Sequence, residues 1–489
     1  MISVFNPAAY DPSAPITAYS GLQDHATNHA IHISGAKPLS FQFAPSLGFA
    51  YDVDGRGNTV VRGGAGTNYY VDPGINSYSA VGAPPNLKVF SYYTGTSSPL
   101  YLSQVSSIDP ASNPGVVYGS ADPNDHGPAV TYSWNLAVAH TFPKSIHLET
   151  SYVGNTTRHL NGYTAINLVP LGSETTNADG GPYFGGNYYQ QLYRPYKSYG
   201  DIGINRHNLS SNYNSLQVTA SRATGWLRTW LTYTYGKALA YNCEDPFTPH
   251  NCYDPAPFDR SQAINVSYYI VLPSVSAKHL GNHAVGNAIL DGWQISGIEQ
   301  YGSGTPFTDI AQNGTLHNEY GGNSVIGLYG SYPVPAGTTS SGVSYGATTV
   351  NISGDSVAGT PDEAAVPIVI CNPSKGLKAH QYFNAACFTA PYEGHNGTFR
   401  LPYIHTPAYS NDELGVFKDF KINEGSKLQI RFQGFNFLNR SFDTYQPFDS
   451  NLYLGFSDIG VAPNNASSAG YTTTRGGHRT LQAAAKYYF

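Results

Sequence analysis

The stretch Tyr132-Ser-Trp-Asn-Leu-Ala-Val-Ala-His-Thr-Phe142 decides the fold class, together with Ile146-His-Leu-Glu-Thr-Ser-Tyr152, which follows Pro143-Lys-Ser145. In the first stretch one face collects Tyr132, Trp134, Leu136 and Val138, and the other collects Ser133, Asn135, Ala137 and Ala139. Because side chains of a strand point alternately to opposite faces, this period of two predicts a strand with one apolar and one mostly polar face. The second stretch alternates in the same way, so we predict a hairpin with a very short turn.

The same alternation recurs along the whole chain and predicts strands of about ten residues, the length with which a tilted strand crosses a bilayer. The eleven predicted strands are 46–53, 59–70, 131–142, 146–155, 214–222, 226–237, 262–272, 288–301, 411–422, 426–438 and 478–489.

The connections between these strands alternate between short and long. The short ones are Asp54 to Asn58, Pro143 to Ser145, Ala223 to Gly225, Pro273 to Asn287 (the longest and the weakest fit) and Asn423 to Gly425. The long ones fall at 71–130, 156–213, 238–261, 302–410 and 439–477. Short turns at one end and long loops at the other are typical of bacterial outer-membrane barrels, whereas long structureless loops count against a compact soluble domain. We therefore predict an all-β fold, an antiparallel transmembrane β-barrel with short periplasmic turns and long extracellular loops.

The composition agrees with a surface that is covered by lipid. Only 11% of the residues are charged, against about a quarter in an ordinary globular protein, and 40 tyrosines bring the aromatic share to 13%. Tyrosine suits a boundary that is apolar on one side and wet on the other. The net charge of −6 and the scattered basic residues exclude a nucleic-acid footprint. No apolar run reaches the length of a membrane-spanning helix.

The two ends of the sequence bear on export. Met1 to Pro7 has neither the basic start nor the apolar core of a signal peptide, which an exported barrel needs. Either the natural polypeptide begins upstream and this chain is a fragment, which we expect, or the protein is cytosolic and the barrel interpretation is wrong. The last stretch alternates, with Leu481, Ala483, Ala485, Tyr487 and Phe489 on one face. A terminal Phe on such a strand resembles the signal that the barrel assembly machinery reads.

Several motifs in order along the chain resemble the Oar-like TonB-dependent transporters. They are the hairpin Ser46 to Tyr70, Tyr213-Asn-Ser-Leu-Gln217, Asp245-Pro-Phe247, Phe258-Asp-Arg-Ser261, Ser267-Tyr-Tyr-Ile-Val-Leu-Pro273, Leu290-Asp-Gly-Trp-Gln-Ile-Ser-Gly297, Ser303-Gly-Thr-Pro-Phe307 and Arg431-Phe-Gln-Gly-Phe-Asn-Phe-Leu-Asn439. Each motif is degenerate alone, but together they span nearly the whole chain.

The resemblance implies a barrel of about 22 strands closed by an N-terminal plug, energised by the TonB complex. The eleven predicted strands would then be the C-terminal half, because single-chain bacterial barrels have even strand numbers. Residues 1–489 are accordingly one partial barrel domain, with 1–45 in an extracellular loop and 302–410 as a long extracellular loop. The implied partners are the outer-membrane bilayer, TonB through the missing plug, the barrel assembly machinery through Phe489 and an extracellular ligand. Loops 156–213 and 302–410 would contact the ligand first.

Two other classes remain open at this point: a surface or secreted all-β binding or structural protein, and a smaller complete porin with an extra strand in 1–45. Nucleophile, zinc-protease and phosphate-loop motifs do not occur, so we expect no enzyme. Gly63-Gly-Ala-Gly66 lies inside a predicted strand and is no nucleotide site.

The remaining candidate residues favour structural roles, and we expect no metal site and no cofactor. His25, His29 and His32 fit a solvated loop better than a metal face, and Asp52 to Asn58 resembles a calcium loop but lacks the distal Glu. Asp254, Asp259 and Arg260 fit a loop ion pair or a family motif better than catalysis. Most tyrosine doublets (Tyr69/Tyr70, Tyr92/Tyr93, Tyr188/Tyr189 and Tyr487/Tyr488) suit an interfacial girdle. Two close cysteine pairs, Cys243 with Cys252 and Cys371 with Cys387, suggest loop disulfides, with free thiols as the alternative, and four cysteines allow three connectivities.

Overall fold

A computed structural model of the chain describes most of the predicted strands and parts of the connections. The described residues are 2–15, 18–33, 35, 41–70, 118–125, 127–173, 193–197, 199–241, 253–274, 284–306, 326–328, 330–334, 336–338, 344–345, 348–352, 360, 362, 366–392, 394–399, 404–444, 454–456, 460–472 and 474–489. Cys243, Cys252, Tyr92, Tyr93, Tyr188 and Tyr189 lie outside them.

One large antiparallel sheet contains all eleven predicted strands. They are β1 (Ser46–Asp52), β2 (Thr59–Tyr70), β3 (Ala129–Phe142), β4 (Ile146–Ala165), β5 (Ile202–Arg222), β6 (Leu227–Tyr241), β7 (Gln262–Val271), β8 (Trp293–Gly302), β9 (Tyr409–Lys421), β10 (Lys427–Phe435) and β11 (Thr480–Tyr488). Each strand pairs with its sequence neighbours, so the sheet is a meander that runs from β1 to β11. The predicted all-β antiparallel fold is confirmed.

The five short connections all lie at one end of this sheet and the five long ones at the other, because every neighbouring pair is antiparallel. We call these ends the turn end and the loop end. β1 and β11 are the two edges of the sheet, and within the described part of the chain each pairs on one side.

The other elements are short and lie in the connections. Tyr118–Ala121 adds to β5 in parallel, and Tyr253–Pro255 adds to β6. Two-stranded pairs are Val4–Phe5 with Leu22–Gln23, Ile326–Leu328 with Leu454–Phe456, Gly330–Val334 with Thr348–Ile352, Gly337–Thr338 with Ser344–Tyr345, Ile368–Val369 with Phe388–Thr389, and Phe442–Thr444 with Thr474–Gly476. Helix α1 is Ala284–Leu290, and Pro7–Ala9 and Ala385–Cys387 are single 3-10 turns. Among the described residues, no helix combines the length and the apolar character that crossing a membrane would require.

The predicted boundaries of β4, β5, β8 and β10 are wrong. β4 and β5 run about ten residues further towards the loop end than 146–155 and 214–222, with a register irregularity at Arg158 to Leu160 where His159 has a φ of 58°. Residues 288–290, predicted as the start of a strand, belong to α1. Residues 436–438, predicted as the end of a strand, form a turn in which Asn436 has a φ of 47°.

The buried core lies at the loop end, where the connecting segments pack against the loop ends of strands such as β3 and β5, which contribute Val130 and Ile202. Its largest fully buried side chains are Tyr199, Phe5, Phe383, Phe388 and Phe456. The N-terminal segment belongs to this core, because the amide of Phe5 donates to Ser120 and the hydroxyl of Tyr199 donates to the carbonyl of Ser20. The described residues of this segment, 2–15 and 18–33, therefore pack at the loop end of the sheet.

Candidate functional site

The strand register sorts the side chains of the sheet into two chemically distinct faces. Directly paired residues point to the same side, so the pairs Leu136 with Tyr152, Tyr152 with Leu216, and Leu216 with Tyr235 trace one face across β3 to β6. We call this the apolar face. The opposite side, the polar face, carries Asn135, Ser151, Gln217 and Thr234 on the same strands.

Large side chains on the apolar face are exposed rather than packed. Leu47, Leu136 and Leu481 are 79%, 51% and 65% exposed. Aromatic residues lie at both margins of this face, with Tyr69, Tyr132, Tyr235 and Tyr301 towards the loop end and Phe142, Trp293, Phe420 and Tyr487 towards the turn end. An exposed apolar band between two aromatic rows is the outer surface of a membrane barrel.

The polar face holds a connected hydrogen-bond network near the turn end, centred on Asp419. Its carboxylate accepts from Lys427 Nζ at 2.8 Å, from Gln429 Nε2 at 2.7 Å and from Gln294 Nε2 at 3.1 Å. The network therefore joins β8, β9 and β10, and we call it the Asp419 cluster.

The Asp419 cluster extends in both directions across the sheet. On one side Tyr269 of β7 donates its hydroxyl hydrogen to Gln294 Oε1 at 2.6 Å. On the other side Arg431 donates to Gln429 Oε1 at 2.6 Å and to the hydroxyl of Tyr488 of β11 at 2.7 Å. Lys427 Nζ also lies 4.9 Å from the centre of the Tyr488 ring. Charge-assisted hydrogen bonds of this kind fix side chains in one geometry, so the cluster offers a preorganised polar wall.

A second polar assembly lies at the loop end and joins two of the long connections. Arg194, which is 5% exposed, lies 3.0 Å from Asp362 and 2.9 Å from Asp201. Asp362 also accepts from the amide of Val169 at 2.7 Å. Burial raises the pKa of the Asp362 carboxyl above its usual value, although Arg194 and the Val169 amide act in the opposite direction. The buried Arg194–Asp362 pair ties loop 156–213 to loop 302–410.

A third assembly, also at the loop end, contains a disulfide. The structure bonds Cys371 to Cys387 with their Cα atoms 4.8 Å apart. Between them, His380 Nδ1 lies 2.8 Å from the Asp443 carboxylate and the amide of Tyr382 donates to the Gly470 carbonyl. Burial raises the pKa of the Tyr382 phenol to about 12, with a smaller contribution from Asp443. The disulfide segment therefore packs onto the connection between β10 and β11.

The residues considered for metal binding have other contacts. The rings of His25 and His29 meet edge to face at 5.2 Å, and His25 Nδ1 lies 2.7 Å from the Ile31 carbonyl. Asp52 accepts from the amides of Gly55 and Gly57 inside the β1–β2 turn. Within the described ranges, no group of three or more His, Cys, Asp or Glu residues could hold a metal ion.

The residues considered for catalysis bind the backbone of neighbouring elements. Asp259 is 7% exposed and accepts from the amide of Ala238 in β6 at 2.7 Å. Arg260 donates to the carbonyl of Ser303 at 2.6 Å and lies 4.9 Å from the centre of the Tyr409 ring. Asp254 lies in the short strand that pairs with β6. These contacts hold the loop ends of β6, β8 and β9 together.

Two tyrosine doublets are described, and each has one member on either face of the sheet. Tyr69 and Tyr487 lie on the apolar face at its margins, as a girdle requires. Tyr488 belongs instead to the Asp419 cluster. The Asp419 cluster was not predicted, although the alternation places Gln429, Arg431 and Gln433 on one face of a strand. No local sequence pattern identifies its long-range partners, Gln294 and Tyr269.

Comparison with known proteins gives a family match along nearly the full length. A family model described as outer membrane beta barrel domain matches residues 1–482. No curated protein matches the chain.

Three of the solved structures that match the chain are distant in sequence. They include the ferric-catecholate import receptor Fiu from Escherichia coli K12 (9% identity, 91% of this chain, 34% of that chain, TM-score 0.35). The outer membrane transporter YddB from Escherichia coli matches at 8% identity over 90% of this chain and 39% of that chain, with a TM-score of 0.38. The FrpB iron transporter from Neisseria meningitidis matches at 8% identity over 91% of this chain and 39% of that chain, with a TM-score of 0.35. The chain thus spans between 34% and 39% of the length of these three proteins.

Proposed function

The chain belongs to the family of outer membrane beta barrel domains, and from this premise we propose that it is the C-terminal half of the barrel of a TonB-dependent transporter of the Oar-like type. The chain is a protein of the outer membrane. In the complete protein, energy relayed by TonB to an N-terminal plug would drive uptake of a bulky extracellular ligand. That the chain is not an enzyme stays a prediction.

The observation that carries this proposal is the open eleven-stranded meander with one apolar and one polar face. A sheet in lipid must satisfy the backbone groups of its edges, and a closed barrel does so. Eleven further strands of the same kind between β11 and β1 would close a barrel of about 22 strands, which is the size of plugged outer-membrane transporters. Residues 1–489 would then form one partial barrel domain.

The two ends of the sheet supply the surfaces that a transporter needs. The Asp419 cluster lines the polar face near the turn end, where a plug inside the barrel would meet the wall. Loops 156–213 and 302–410, which the Arg194–Asp362 pair joins, would contact the ligand at the loop end, with residues 1–45 beside them. The exposed Phe489 would be read by the barrel assembly machinery.

Isolation of the natural polypeptide from outer membranes, with an antibody raised against β10 and β11, tests the proposal. We expect intact mass and N-terminal peptides to show several hundred residues upstream of Met1, and we expect the purified protein to bind the isolated periplasmic domain of TonB. The natural protein could instead be no longer than this chain, conduct ions in planar bilayers and fail to bind TonB. This result would contradict the proposal and would indicate a complete smaller porin.

A further inference from the structure

Helix α1, in the connection between β7 and β8, exposes the apolar stripe that a surface helix of a soluble protein would bury. Val285, Ala288 and Ile289 form one stripe of the helix, and Val285 and Ile289 are 71% and 61% exposed. Asn287, on the opposite side, is half-buried. A surface helix of a soluble domain buries its apolar stripe and exposes the polar one. The exposed stripe of α1 therefore needs an apolar partner.

The end of α1 is attached to the apolar face of the sheet. Trp293, which lies on that face of β8, donates its indole N–H to the carbonyl of Ile289 at 2.9 Å. Lys418 of β9 lies 5.3 Å from the centre of the Trp293 ring and 5.2 Å from that of Phe420, and its Nζ donates to the carbonyl of Asp291. These contacts set α1 at the turn-end margin of the lipid-facing band.

The surroundings of α1 have the composition of a membrane interface. Trp226, which precedes β6 at the same end, is 55% exposed, and its carbonyl accepts from the amide of Val271 in β7. An exposed tryptophan at the end of a strand is a side chain that anchors proteins at the headgroup layer. The apolar stripe of α1 thus continues the apolar face past the end of β7 and the start of β8.

We propose that α1 is an interfacial anchor whose Val285–Ile289 stripe lies in the phospholipid headgroup layer of the leaflet at the turn end. A short amphipathic helix binds a lipid surface through its apolar stripe. Continuity with the lipid-facing band selects lipid rather than a protein partner. The inference rests on the outer-membrane location and is independent of the proposed uptake.

The test places a photoreactive benzophenone amino acid at position 285, 289 or 287 of the natural polypeptide, followed by irradiation of intact outer membranes. Position 136, on the apolar face, serves as the lipid-exposed reference, and position 424, in the exposed β9–β10 turn, as the water-exposed one. We expect phospholipid adducts at 285 and 289 at a level close to that of position 136 and several-fold above those of 287 and 424. Heat-modifiable mobility selects the samples that have folded.

Each other outcome would overturn the proposal. A protein adduct at 285 and 289 would mean that another polypeptide covers α1. A lipopolysaccharide adduct would place α1 in the opposite leaflet. Absence of adducts at 285 and 289, with a phospholipid adduct at 136, would mean that α1 points into water.

Discussion

At the residue scale, the apolar face depends on glycines over which aromatic rings lie. Gly154 of β4 pairs directly with Trp134 of β3, and a Cβ atom at Gly154 would lie 2.5 Å from the indole. We expect Gly154→Val to destabilise the barrel by about 1–3 kcal/mol, because either the ring or the strand must move. The midpoint of urea unfolding, followed by heat-modifiable mobility of the natural polypeptide, measures the effect.

The matched control is Gly48→Val in β1. Gly48 lies on the polar face, and the nearest atom to its added Cβ would be the Gly63 carbonyl oxygen at 3.6 Å. We expect this variant to unfold at the wild-type urea concentration. An equal decrease of the urea midpoint in both variants would mean that any side chain added to a strand destabilises the barrel and that the contact with Trp134 has no specific effect.

His405, just before β9 at the loop end, is one residue that should make stability depend on pH. Burial lowers its pKa from the usual 6.5, Lys237 lowers it further, and Asp259 opposes both. The folded state therefore binds the proton more weakly than the unfolded state. The stability from neutral His405 is complete above pH 6.5 and is lost as the pH falls from there through the lower folded pKa.

We expect His405→Gln to reduce the loss of stability below pH 6.5. His29→Gln, at an exposed position of the N-terminal segment, is the control for the replacement of an imidazole elsewhere in the chain. Folded fractions in a fixed urea concentration across this pH range provide the measurement. A pH profile of His405→Gln that superimposes on the wild-type one would refute the prediction.

At the scale of strands, the Asp419 cluster should hold the turn ends of β8, β9 and β10 in register. Asp419→Ala removes the acceptor of three hydrogen bonds and leaves Gln429, which is 6% exposed, without one of its partners. We expect the free energy of unfolding to fall by about 1–3 kcal/mol. The partial exposure of Lys427 reduces this loss, because water screens its charge. Glu424→Ala, in the exposed turn that joins β9 and β10, is the control and should change the urea midpoint little.

The disulfide segment at the loop end yields a prediction of the same scale. Cys371 and Cys387 are 16 positions apart in the sequence. A disulfide that closes a loop of this length stabilises the folded state by about 3 kcal/mol, because it lowers the conformational entropy of the unfolded chain. We expect the double variant Cys371→Ser/Cys387→Ser to be cut faster by protease between these positions, with the sheet intact. Lys375→Ala, an exposed change in the same segment, should be cut at the wild-type rate.

The positions of the strands could be predicted from the sequence, but some of their bounds could not. All eleven strands were predictable because lipid on one side and water on the other impose the period of two. The extensions 156–165 and 202–213 were missed because polar residues such as Thr157, Asn161 and Ser210 lie on strands without an apolar face. Residues 288–290 were read as strand because three apolar residues in sequence fit a strand and a helix equally.

The loop-end assemblies could not be predicted at all. Arg194 and Asp362 are 168 residues apart, and Phe5 and Ser120 are 115 residues apart. No local pattern marks such partners, because the loops are held by contacts between distant segments rather than by periodicity. The Asp419 cluster lies between these cases, since alternation gives its face and only the strand order brings Gln294 and Tyr269 to it.

At the scale of the whole molecule, the two edges of the sheet determine whether the chain can fold in a bilayer by itself. All seven residues of β1 are exposed, as is most of β11, and both strands carry apolar side chains on the lipid-facing side. Unpaired backbone groups in hydrocarbon cost several kcal/mol each, so an open sheet is unstable in a bilayer. The chain should therefore fold in lipid only when other strands pair with β1 and β11.

The last prediction follows from these edges and concerns the 489-residue chain expressed alone and refolded into lipid vesicles. We expect no heat-modifiable monomer and rapid digestion by protease, whereas the natural polypeptide that contains the chain should give a resistant, heat-modifiable band. Phe489, the residue directly after the edge strand β11, provides the control, because its removal should slow assembly of the natural polypeptide and leave the isolated chain as it was. A resistant monomer of this chain would mean that β1 and β11 pair with each other in a small barrel, and a resistant dimer would mean that two copies close one barrel.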